Sequence, residues 1–236
     1  MRLCMLRAAA AVAGLLSVCA AAGSAQTANI PEGFTPLFDG KTLKGWHWSL
    51  TNHHGSTGKA TVEDGAITLR QNPYGQGGLF VTDRKYKNFE LSLEVKAPFG
   101  CNSGIFFRST ESGSAYQIEL LPGTGSTGDL LGELMRVSLA PKATEAASVW
   151  KDDEFNAMRL RVEGDAPHLT LWINGKQMWD VQEPINDKIA GETSGVIGLQ
   201  LHWSAAYEPT GGSMGPGSAK PEKAYQFRNV AIREIL

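Results

Sequence analysis

Three stretches of alternating sequence put chemically capable side chains on one side of an extended chain. In Tyr116-Gln117-Ile118-Glu119-Leu120 the apolar residues share one face, so Gln117 and Glu119 share the other. Across residues 195–203, Ile197, Leu199, Leu201 and Trp203 form the apolar set and leave Gly198, Gln200 and His202 opposite. Across 105–109, Ile105 and Phe107 pair as core and leave Phe106 and Arg108 opposite. If these strands share a sheet, Arg108, Gln117, Glu119, Gln200 and His202 converge on one surface, with Phe106 as a stacking plate. A carboxylate and an imidazole can exchange protons there, and a guanidinium fork can hold developing negative charge. The alternative is a solvated sheet face whose polar residues are incidental.

Other patterns carry less. Gly123-x-Gly125-x-x-Gly128 matches a dinucleotide fingerprint, but no strand–helix–strand unit follows it. His53-His54, His47 and His168 lack metal-ligand spacing and read as surface residues, so no metal site and no cofactor is evident in the sequence, although a metal held by residues from separate strands would leave no such spacing. Trp46, Trp48, Trp150, Trp172, Trp179 and Trp203 read as core more readily than as sugar platforms. Cys101, beside Asn102-Ser103-Gly104, reads as a small buried filler rather than a nucleophile.

Strands must position these groups. In Phe89-Glu90-Leu91-Ser92-Leu93-Glu94-Val95-Lys96 the odd positions are apolar and the even ones polar, the signature of a half-buried strand. Similar strands are expected at 67–71, 105–109, 116–121, 158–163, 169–173, 195–203 and 227–235. Asn174-Gly175 predicts a tight hairpin into a strand over 176–181, because both residues accept positive φ. Only 129–135 and 143–149 could make a turn or two of helix. The pattern predicts an all-β fold, a two-sheet antiparallel sandwich, with Leu91, Leu93, Phe107, Ile118, Leu171 and Leu199 in its core. The Gly-, Pro- and Ser-rich stretch 208–222 reads as a long loop, either a binding loop or a disordered insertion.

Arg2 and Arg7, the apolar run 8–22 and Gly23-Ser24-Ala25 read as a signal peptide cut after residue 25. An uncleaved anchor and a lipoprotein modified at Cys19 are the alternatives. The mature chain, 26–236, suits one domain with no transmembrane span, located in the periplasm or secreted. A net charge of −2 gives no basic face for nucleic acid.

The chain resembles the 3-keto-disaccharide hydrolase family. The resemblance rests on Phe34-Thr35-Pro36-Leu37-Phe38-Asp39-Gly40, Leu43-Lys44-Gly45-Trp46, Asn88-Phe89-Glu90-Leu91 and Asn102-Ser103-Gly104-Ile105-Phe106-Phe107-Arg108. It continues through Asn174-Gly175, Ile197-Gly198-Leu199-Gln200-Leu201-His202 and Phe227-Arg228-Asn229-Val230. In the family Gln117 and Glu119 usually stand in exchanged places. The resemblance implies a concanavalin A-like jelly roll, export, and action on oxidised glycosides. A ketone at C3 acidifies the C2 hydrogen, so one base, one donor for the enolate oxygen and one proton source suffice. Glu119 or His202 would be the base and Arg108 the oxyanion partner, while Gln117, Gln200 and Asn102 would hold ring hydroxyls. The rival reading is a non-catalytic sugar-binding module using the same groove.

Overall fold

The computed structural model describes residues 29–203 and 223–236. The expected signal peptide and the 208–222 stretch lie outside the described residues. Among the described residues, fourteen strands form two antiparallel sheets stacked as a jelly-roll sandwich. The larger sheet runs β12 (Lys176–Gln182), β11 (His168–Ile173), β10 (Asn156–Glu163), β6 (Phe89–Lys96), β14 (Tyr225–Glu234), β4 (Ala66–Arg70), β3 (Lys59–Glu63), and β1 (Thr35–Pro36) pairs with β14. The smaller runs β2 (Trp46–Trp48), β5 (Gly78–Thr82), β13 (Val196–Leu201), β7 (Ser103–Ser109), β8 (Ala115–Leu120), β9 (Leu130–Glu133).

Period-two alternation explains the core. Phe89, Leu91, Leu93 and Val95 of β6 point inward, as do Met158, Leu160 and Val162 of β10 and Leu169, Leu171 and Ile173 of β11. They meet Ile105, Phe107, Ile118, Ile197, Leu199 and Leu201 from the smaller sheet. Every expected core residue is buried there. The Asn174-Gly175 hairpin forms, with φ of 50° and 81°, and the Asn174 amide ties the turn to Val149 O at 2.7 Å.

The outer face of β6 is less wet than alternation suggests. Glu90 is fully covered, because Arg159, Arg161 and Arg233 on the flanking strands close over its carboxylate at 2.5–3.1 Å. Two helical expectations also change. Residues 130–133 form edge strand β9, whose pairing with β8 outweighs weak local helicity, and within 143–149 the helix is limited to a short 3₁₀ turn at Ala146–Ser148. The three glycines of the apparent dinucleotide pattern lie in the β8–β9 connection at positive φ.

Candidate active site

Strands β13, β7 and β8 are adjacent, and their registers align the expected polar residues in rows. Gly104 pairs with Glu119, and Phe106 pairs with both Gln117 and Gly198. Gln200, Gly104 and Glu119 therefore form one row across the outer face of the smaller sheet. Gly104 matters because it lacks a side chain. A Cβ there would lie 2.3 Å from Gln117 Nε2, so the bare backbone makes the space that the Gln117 amide occupies.

That amide links the site. Gln117 Nε2 donates to Glu119 Oε2 at 3.2 Å and reaches Gln200 Oε1 at 3.4 Å. From the start of β7, Asn102 Nδ2 donates to Glu119 Oε1 at 2.8 Å. Glu119 is only 7% exposed. Burial pushes its carboxyl up to about 7; Asn102 opposes this, while Asp129 and Glu133 add to it. A carboxyl held there exchanges protons near neutrality, as a general base requires.

His202 ends the β13 row beyond Gln200. Its Nδ1 meets Trp203 O at 2.7 Å, so that nitrogen carries the proton and Nε2 is left as the acceptor. Burial lowers its pKa. His54, expected at the surface, is only 4% exposed and its ring centroid lies 6.1 Å from that of His202. It packs edge-on over Phe106 with centroids 5.8 Å apart. Burial, with His53 and His202 nearby, pushes its pKa down to about 3, so the ring is neutral. Phe106 is thus covered completely, and supports His54 instead of offering a stacking plate.

Arg108 does not join this group. Between the β13 and β7 registers, the three residues from Val196 to Gly198 oppose the four from Phe106 to Ser109. This bulge puts Arg108 at φ 48° and breaks the alternation on which its expected placement relied. The buried guanidinium donates to Lys87 O at 2.9 Å, Gly164 O at 2.7 Å and Asn88 Oδ1 at 3.2 Å, tying β7 to the end of the larger sheet.

Two groups missed by sequence reasoning complete the surface. Glu133 shares the parity of Leu131, which pairs with Gln117, and so faces the same side as Glu119. His53 Nε2 meets Glu133 Oε1 at 3.0 Å. Burial raises the Glu133 pKa against the pull of His53. The local sequence hid both, since Glu133 sat in an apparent helix and the histidines in an apparent surface loop. A cleft of about 570 Å³ lined by Lys44, Asp83, Arg84, Tyr86 and Glu234 contains none of these groups. The perturbed carboxyl is the better guide to chemistry than cavity size.

Solved structures share the fold. A candidate glycosyl hydrolase from Parabacteroides distasonis is 20% identical, with 87% of this chain and 95% of that one covered at a TM-score of 0.55. The carbohydrate-binding module CBM66 from Bacillus subtilis is 14% identical, with 80% and 96% covered at 0.51. A protein of Bacteroides thetaiotaomicron named 3-keto-disaccharide hydrolase is 39% identical over 85 residues, which span 34% of this chain and 29% of that protein. With residues 33–233 matched, the chain belongs to the family described as the 3-keto-alpha-glucoside-1,2-lyase-like domain.

Proposed function

We propose that this chain is an exported carbohydrate-acting enzyme that cleaves the glycosidic bond of 3-keto-glycosides, with Glu119 as the base. The observation that carries the reading is the Glu119 carboxyl, buried in a cradle of amides with its pKa pushed up to about 7. A base of that strength is well matched to a hydrogen acidified by a neighbouring ketone.

Glu119 takes the C2 proton, and the C2–H electron pair moves into an enolate with the C3 oxygen. The enolate collapses to a C1=C2 double bond as the C1–oxygen bond breaks. The leaving oxygen recovers a proton from the Glu119 acid or from water. Water then adds at C1 and a proton at C2, which makes the net reaction a hydrolysis; without that second half it is an elimination. Asn102, Gln117 and Gln200 hold ring hydroxyls, and His202 Nε2 accepts from one or relays a proton.

The test is incubation with 3-keto-trehalose or a 3-keto-glucoside, following the released sugar. In heavy water a hydrolysed keto-sugar should carry deuterium at C2. Turnover with neither deuterium uptake nor a rate effect from a C2-deuterated substrate overturns the elimination route. Binding without turnover overturns the enzyme and leaves a sugar-binding module.

A further inference from the structure

Among the described residues, one cluster brings three histidine, cysteine or acidic side chains within reach of a shared ion: His53, His54 and Glu133, with candidate ligand atoms all within 4.8 Å of one another. Ligands about 2.0–2.2 Å from one tetrahedral ion stand roughly 3.4 Å apart, so a shift of no more than about 1.4 Å in the widest pair would bring all three onto a shared ion.

The His54 ring shows the more telling geometry. It is buried, and the amide Nε2 of Gln200 lies 3.5 Å from its Nδ1 and 3.2 Å from its Nε2. One atom that nearly splits the two nitrogens lies along the lone pair of neither. A buried imidazole normally commits at least one nitrogen to a well-aligned partner. His53 lies against it, with ring centroids 3.9 Å apart, and aims Nε2 at Glu133.

We propose that His53, His54 and Glu133 form a binding site for a divalent first-row transition ion on the groove face of the smaller sheet. Two imidazoles and one carboxylate suit zinc-like ions and leave coordination positions open, the arrangement of a catalytic rather than a structural centre. Resting on the function proposed above, those open positions would take the C3 carbonyl oxygen and a neighbouring hydroxyl oxygen of the keto-sugar. The ion would supply the charge that stabilises the enolate oxygen, the task for which Arg108 is misplaced. Glu133 lies two same-face steps from the register of Glu119, so ion and base address one groove.

The full-length chain, purified without a polyhistidine tag and stripped with EDTA, is titrated calorimetrically with Zn²⁺ and Co²⁺. One ion per chain is expected, with visible absorption from the Co²⁺ adduct. Removing neighbours that merely orient metal ligands costs roughly 10–100-fold in affinity, so Glu133→Gln and His53→Asn should each cost about 100-fold or more. Both side chains are partly exposed, and circular dichroism reports whether the variants fold. His168→Asn, remote in the larger sheet, should titrate like the parent. No stoichiometric binding, or binding undiminished in both folded variants, overturns the site. Cleavage of a keto-glycoside by stripped protein that binds no ion removes the metal and keeps the function. One bound ion in a chain that cleaves no keto-glycoside does the reverse.

Discussion

Asn102 donates its amide to Glu119 Oε1 at 2.8 Å, while its own carbonyl oxygen is buried with no hydrogen-bond partner among the described residues. A buried acceptor is costly to leave unpaired, and a ligand hydroxyl would satisfy it. The pair couples a base to an unmet acceptor: the residue that holds the carboxylate also carries a buried oxygen with no partner among the described residues.

Glu119→Gln keeps the shape and removes the proton acceptor. Turnover of a 3-keto-glycoside should fall by roughly 10²–10⁴ while ligand affinity survives. The parent rate should climb as pH rises through about 7, since the base must be ionised. Steady-state kinetics across pH check both, and a flat profile removes Glu119 from the role.

The same carboxyl sets a stability gradient. Its folded pKa of about 7 exceeds the ordinary value of 4.5, so the folded state favours the protonated form. The stabilisation is fully present below pH 4.5 and is lost as pH rises through about 7. Between those limits the parent should lose up to roughly 3 kcal/mol relative to Glu119→Gln. Urea unfolding of both proteins at each pH measures it, and parallel curves would refute the shift.

Arg108→Lys should injure the fold rather than the reaction. A single ammonium cannot serve Lys87 O, Gly164 O and Asn88 Oδ1 together. Unfolding free energy should drop by roughly 2–4 kcal/mol with turnover per folded molecule unchanged. Unchanged stability with lost turnover would return Arg108 to the site.

Gly104→Ala tests the gap in the central row. The new methyl would stand 2.3 Å from Gln117 Nε2 and force that amide away from Glu119. Turnover should fall roughly 10²-fold, as for other misplacements of about an ångström, while overpacking costs about 1–3 kcal/mol. Unaltered kinetics in the folded variant would mean the Gln117 amide is dispensable.

Leu93→Ala probes the sandwich itself. Leu93 is 2% exposed and faces Met158 across the strand pair, so its loss should cost roughly 2–5 kcal/mol. Thermal or urea unfolding reads the value, and a loss under about 1 kcal/mol would contradict its place in the core.

Long alternating strands were legible from sequence alone. Residues 89–96 form β6 with the expected bounds, and the Asn174-Gly175 turn forms where its φ tolerance predicts. Short strands such as β2 and β9 were not, because they hold only three and four residues and are specified by their neighbours. In the site, parity brought Gln117, Glu119 and Gln200 together, since β8 and β13 keep their alternation there. It failed at Arg108, where one extra residue reverses the face, and a bulge leaves no mark in hydrophobic periodicity. His54 was hidden for another reason: a loop residue is buried by what it packs on, here Phe106.

The position of β14 constrains how the chain comes to fold. This strand spans Tyr225–Glu234, near the end of the sequence, yet it sits inside the larger sheet with β6 on one side and β4 and β1 on the other. An elongating polypeptide therefore exposes two unmatched sheet edges until residues 225–234 emerge. Closure joins segments separated by well over a hundred positions, the kind of non-local pairing that slows folding. A chain without residues 225–234 lacks the strand that joins β6 to β4, and its larger sheet is divided.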